Sequence, residues 1–243
     1  MNDVAQDTGA DSAAYWKSHY DSMAHHESLA LFEAEADDFF QRLTAAFPFD
    51  GNQRVLDFGS GLGIVAERLA SVAGELCFWD YSENMLATAR ARLQPLDNAR
   101  EFDVATDGES GGLFDLIVVN SVIQYMSADE LRQWLETWRR WLKPAGSLIV
   151  SDVILPEPAF LREVRDSLQF AASKGFLLNI LKKDIPQYVR YLGARRQATM
   201  QRYSHDDFLQ LASSCGLSAR ILDGNLTYRT NRFSVLMNPA EAG

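Results

Sequence analysis

Val55-Leu-Asp-Phe-Gly-Ser-Gly-Leu-Gly63 is a short apolar run that breaks into three alternate glycines and then leads into a helical pattern. Glycine tolerates positive φ and lets the backbone approach a ligand closely, so strand, turn and helix follow one another here for a chemical reason. In an open α/β sheet such a turn lies at the carboxyl end of the strand, where ligands bind. A dinucleotide fingerprint, G-x-G-x-x-G, would need its third glycine where Ile64 stands. The mismatch argues against an NAD-type oxidoreductase, because pyrophosphate needs that close approach at the helix N-terminus.

Outward from the turn, strand and helix alternate. Arg54–Phe58 reads as a buried strand, with a helix from the turn to about Ala70. Glu75–Trp79 is a second strand ended by Asp80, an acid placed to grip ribose hydroxyls, and Glu83–Leu93 a second helix. A weaker strand is predicted near Arg100–Asp103 and a strong one over Phe114–Val119. Ser127 and Glu130 form a capping pair that opens an amphipathic helix over Asp129–Leu142, stopped by Lys143-Pro-Ala-Gly146. Ser147–Val153 is the next strand, and Ser218–Asp223 and Arg232–Met237 are the last two. Ser204 caps a helix just before them. Helical segments between strands imply the α/β class: a doubly wound, mostly parallel, seven-stranded sheet. Two final strands without an intervening helix imply an antiparallel last strand.

Upstream, Leu29, Phe32, Ala36, Phe39, Phe40 and Leu43 recur at three- and four-residue spacing, the mark of one buried helix face. The expected organisation is a disordered tail over 1–14 and a single domain over 15–243. That domain carries an N-terminal helical flap (15–47) and a helical insertion (156–202), which together form a lid.

The whole chain has 243 residues, 47% hydrophobic and 23% charged, enough to bury a core without disulfides. Cys77 and Cys215 sit in apolar stretches, which fits a reducing cytoplasmic location. No apolar run approaches the roughly 18 residues of a membrane span, and the acidic start lacks the pattern of a secretory signal. A net charge of −10 excludes non-specific nucleic-acid binding as the main task. That charge is uneven: acids crowd residues 1–38, while Lys182, Lys183, Arg190, Arg195, Arg196 and Arg202 make the insertion basic.

With VLDFGSGLG (55–63), FWDYSENML (78–86), FDLIVVNSVIQY (114–125) and LKPAGSLIVSD (142–152) in this order, the chain resembles the class I S-adenosylmethionine-dependent methyltransferases. The resemblance implies a Rossmann-like methyltransferase fold and S-adenosylmethionine as cofactor. Asp57, Gly59, Ser60, Gly61 and Gly63 would line its methionine end, Asp80 would hold the ribose diol, and Tyr81 and Met85 would flank ribose and adenine. Asp103, followed by Val104, is placed to meet the adenine amino group, with Asp107 a competitor. Asn120 and Ser121 would border the sulfonium and the acceptor, and Tyr20 would reach the methionine carboxylate. Because the methyl carbon is already activated by positive sulfur, the protein's work is positioning and exclusion of water, with no metal required.

The acceptor is less legible. His25 and His26 can serve as general base, and Tyr125 follows the fourth strand where an acceptor docks. Tyr228, Arg229, Asn231 and Arg232 either face the acceptor or form a hairpin turn. Trp134, Trp138 and Trp141, at helical spacing, are assigned to core or dimer surface rather than to a ligand platform. The expectation is methyl transfer to a small molecule, with O-methylation of a polar or anionic metabolite favoured, by a monomer or homodimer. A non-catalytic cofactor-binding module is the other reading.

Overall fold

The computed structural model describes residues 29–157, 159–176 and 200–240. Seven strands form one sheet: β1 (Arg54–Phe58), β2 (Glu75–Trp79), β3 (Ala99–Glu101), β4 (Phe114–Asn120), β5 (Leu142–Ile154), β6 (Leu217–Ile221) and β7 (Arg232–Pro239). Their order is β3-β2-β1-β4-β5-β7-β6, with β7 antiparallel to both neighbours and the other pairs parallel. The helices are α1 (Leu29–Ala46), α2 (Ile64–Ala70), α3 (Glu83–Leu93), α4 (Ala128–Trp141), α5 (Phe160–Ser173) and α6 (His205–Ser214).

Alternation along the central strands divides the core between two faces. Val55, Leu116 and Val118 point toward Phe39 and Leu43 of α1, Leu69 of α2 and Leu86 of α3. Leu56, Phe58, Ile117 and Val119 point the other way, toward Trp138 and Trp141 of α4 and Phe208 of α6. Both sets are buried, as expected of parallel strands covered by helices on each side.

Local signals hold where they carry a mechanism. Ser127 Oγ accepts from the Glu130 N–H at 3.2 Å, and Glu130 returns the bond to the Ser127 N–H at 2.7 Å. Ser204 caps α6 by accepting from Asp207 N–H at 3.1 Å, and the His205 ring packs edge-on to Phe233. Boundaries shift elsewhere. Lys143–Gly146 follows the end of α4 at Trp141, as expected of a helix stop, but β5 begins earlier than Ser147: Leu142 pairs with Phe114, 143–146 bulge out, and pairing resumes at Ser147 with Leu116. Acids of α1 pair with bases of the neighbouring helices: Arg68 reaches Glu33 at 2.5 Å and Asp37 at 3.0 Å, and Arg92 reaches Glu33 at 2.9 Å. Tyr20, His25, His26 and the bases at 182–196 lie outside the described residues.

Candidate active site

The glycine turn is built by the neighbouring strand. The N–H groups of Gly59 and Ser60 both donate to the Trp79 carbonyl, at 2.8 and 3.0 Å. Gly59 has φ +82°, and a Cβ there would sit 2.3 Å from Val122 Cγ2, so any other residue is strained and must displace the Val122 side chain. Gly63 has φ +74°, and its missing Cβ lets α3 approach, with Ala89 at 3.0 Å from the position a side chain would take. Asp80 closes the turn: its Oδ2 accepts from the Gly61 N–H and its Oδ1 from the Ser82 N–H, both at 2.8 Å. These two bonds fix the orientation of the Asp80 carboxylate at the edge of the turn.

Above this turn lies a cavity of about 440 Å³ at the carboxyl ends of β1, β2 and β4, roofed by α1. Gly59, Ser60, Gly61, Asp80, Tyr81, Met85, Asn120, Ser121 and Tyr125 all line it, which brings most of the sequence candidates to one place. Tyr81 stands 68% exposed at its rim. Asp57 is buried beneath the turn and Gly63 sits behind it, so neither is in the wall. Asp103 and Val104 are not in the wall either. Asp103 is exposed, with Oδ1 accepting from the Ala105 N–H at 2.9 Å, and Val104 packs on the core. Asp107, its competitor, is drawn instead to Arg100 at 2.7 Å.

Two polar atoms beneath and beside the turn, Asp57 Oδ2 and Ser60 Oγ, are buried without a hydrogen-bond partner among the described residues. Burial, and then the negative charge of Asp80, push the Asp57 carboxyl up to about 7. A buried acid beside a second acid is stabilised by a cationic ligand, and the ammonium and sulfonium of S-adenosylmethionine fit that demand.

Of the wall residues that sequence reasoning did not place in the site, three bear on its chemistry. Trp134 was assigned to core or dimer surface, yet its ring lines the cavity with Phe58 and Trp79, at centroid distances of 4.6 and 5.9 Å. Trp138 and Trp141 are core, as expected. Glu35 also lines the cavity; it sits on α1 between Phe32 and Phe39, a charge inside an apolar stripe, and that anomaly was the signal available. Thr227 is the third, in the segment before β7.

Tyr228 and Arg229, left open between acceptor and hairpin, face the cavity, whereas Asn231 and Arg232 are buried behind it. There a bulge in β5 turns Asp152 inward at φ +67°, and Ser121 beside it holds φ +58°. Asp152 accepts from Ser121 Oγ at 2.9 Å, Thr227 Oγ1 at 2.7 Å and the Arg232 guanidinium. Arg229 stands 3.9 Å away, and Arg232 also donates to Glu163 at 3.1 Å. Burial acts to raise the Asp152 carboxyl, but Arg232 and Arg229 overcome it and hold the group well below the usual carboxylate range. Among the described residues no group of three or more His, Cys, Asp and Glu is arranged to hold a metal ion.

Sheet order, glycine turn and terminal acid define a Rossmann-like α/β protein of the methyltransferase type. Residues 56–148 match a family described as a methyltransferase domain. The chain belongs to the class I S-adenosylmethionine-dependent methyltransferases. It is 33% identical over 171 residues to chondramide synthase of Chondromyces crocatus, an alignment spanning 67% of this chain and 4% of that protein. A ubiquinone biosynthesis O-methyltransferase of Aromatoleum aromaticum is 25% identical over 174 residues, 68% of each chain. Phosphoethanolamine N-methyltransferase 1 of Haemonchus contortus, solved with phosphoethanolamine and S-adenosylhomocysteine, superposes with a TM-score of 0.64 at 16% identity over 97% of this chain and 50% of that one.

Among the described residues no helix is long and apolar enough to cross a membrane.

Proposed function

We propose that this chain transfers a methyl group from S-adenosylmethionine to a hydroxyl of a small polar or anionic acceptor. The observation that carries the reading is the charge of the cavity at the glycine turn. Asp80 and Glu130 line it with Glu35 at its far end, Asp57 lies buried below, and among the described residues Arg229 is the one base in the wall. That wall repels a pyrophosphate and attracts a cationic cofactor. Asp80 takes the ribose diol, Tyr81 and Met85 flank the nucleoside, and Ser60 meets the methionine end, with Asp57 acting on it through its charge from beneath the turn. Bound there, S-adenosylmethionine supplies an activated methyl carbon. The chain contributes orientation, a dry aromatic wall from Phe58, Trp79 and Trp134, and an acceptor space beyond Asn120 and Ser121.

The O-methylation part rests on the likeness to the ubiquinone biosynthesis relative. Calorimetric titration of the purified chain with S-adenosylmethionine and with NAD tests the core of the reading. Saturable binding of the first and none of the second is expected; binding of NAD alone overturns it.

A further inference from the structure

The cavity has two chemically different ends. Neighbouring strands lie about 4.8 Å apart, so the row from β2 through β1, β4 and β5 to β7 spans roughly 19 Å. Asp80 and the glycine turn occupy its β2 and β1 side. Thr227, Tyr228 and Arg229, just before β7, occupy the other, and α1 crosses over with Phe32, Glu35 and Ala36. The nucleoside-binding side is already accounted for, which leaves the β5 and β7 end to the acceptor.

At that end one carboxyl is held by an ordered frame. Glu35 shares the cavity wall with Tyr228 and Arg229. The Tyr228 ring stacks on Phe170 at 4.3 Å and 14°, and the Arg229 guanidinium lies over the same ring at 4.7 Å. Asp166 ties the segment to α5 through the Thr230 N–H at 2.7 Å and hydroxyl at 2.6 Å. The charged groups acting on Glu35 are Arg229 and Arg232, which favour its ionised form, and Asp152, which opposes it. Burial outweighs them, so the carboxyl sits above the usual carboxylate range. Asp152 and Glu163 are bonded to Arg232, and Glu35 faces the cavity.

We propose that Glu35 is the proton acceptor of this site and that its partner is a phenolic hydroxyl, held among Phe32, Tyr125 and Tyr228 with Arg229 opposite the developing oxyanion. The proposal rests on the methyltransferase reading above and deepens it. In the step, the phenol O–H breaks and its proton passes to the Glu35 carboxylate. The freed oxygen pair forms the O–CH₃ bond, while the C–S bond breaks with its electrons passing to sulfur. The products are an aryl methyl ether, S-adenosylhomocysteine and a neutral Glu35, which returns its proton to solvent. A phenol ionises near 10, within reach of a carboxyl raised by burial, whereas an aliphatic alcohol resembles water at about 16.

The test uses the full chain and tritium-labelled S-adenosylmethionine with catechol and 4-hydroxybenzoate, against ethanolamine and glycerol. Phenols are expected to be methylated in preference to the controls. Glu35→Gln is expected to lower phenol kcat about 100-fold or more and to abolish the acidic limb of the pH profile. Glu35→Asp should restore part of the rate, and S-adenosylhomocysteine affinity should stay within about threefold in both variants, which also reports that they are folded. Full phenol turnover in Glu35→Gln overturns the proposal, as does preference for ethanolamine or glycerol. Cofactor binding with no phenol methylated overturns it while leaving the methyltransferase reading intact. A chain that binds no S-adenosylmethionine removes that reading itself.

Discussion

The β1–β2 end of the cavity and the β5–β7 end are made in opposite ways. The first is contiguous: residues 55–63 form the turn, Asp80 locks it with one bond to Gly61, and glycines supply conformations other residues resist. The second is assembled from distant pieces, joining Glu35, Ser121, Asp152, Glu163 and 227–232 through side chains. Backbone geometry holds one end and buried charge holds the other. A site of this design keeps its cofactor grip constant while the acceptor end can be rebuilt by exchanging side chains.

The largest effect should come from breaking the charged end. Asp152→Asn leaves Arg232, itself only 1% exposed, without its main counter-charge, and is expected to cost about 3–5 kcal/mol in urea unfolding. A loss below about 1 kcal/mol would mean that the cluster is dispensable.

At the backbone end, Gly59→Ala meets both positive φ and Val122, and should cost about 2–3 kcal/mol by the same measurement. Gly61→Ala, whose added carbon meets nothing within 4 Å, should cost about 1 kcal/mol less. Equal losses at the two positions would remove close approach as the reason for Gly59.

Asp57 links stability to function. Its carboxyl is raised from an ordinary 3.8 to about 7 in the folded chain, so the folded state binds the proton more tightly. Stability from this group is therefore present below pH 4 and is lost as pH rises toward 7, where a buried charge must form. Asp57→Asn should stabilise the free chain at pH 8 by roughly 1–2 kcal/mol at most, read as a higher thermal midpoint, and should weaken S-adenosylmethionine binding there. A variant that gains stability and keeps full affinity would separate Asp57 from the cofactor.

The same contrast explains what was legible in the sequence. Strand, turn, helix and terminal acid are local in the chain, so their order could be read directly, as could the capping box at Ser127. Glu35, Trp134 and Asp152 could not be read so easily. Their roles depend on which helix crosses which strand end, and Trp134 shares its helical spacing with the buried Trp138 and Trp141. Periodicity identifies a buried face but does not say whether core or cavity lies behind it. Glu35 was the exception, since a carboxylate inside an apolar stripe needs a partner that the stripe does not supply. The start of β5 differs from the expected Ser147 because Leu142 already pairs with Phe114, with 143–146 bulging out before pairing resumes at Ser147.

The division of the cavity is tested most directly by titrating S-adenosylhomocysteine calorimetrically into the unmodified chain, Asp80→Ala and Glu35→Gln. Asp80→Ala should weaken binding at least about tenfold through loss of charge-assisted hydrogen bonds, and Glu35→Gln should leave it nearly unchanged. Equal losses in both variants, or none in Asp80→Ala, would contradict a cavity with one end for the nucleoside and the other for the acceptor.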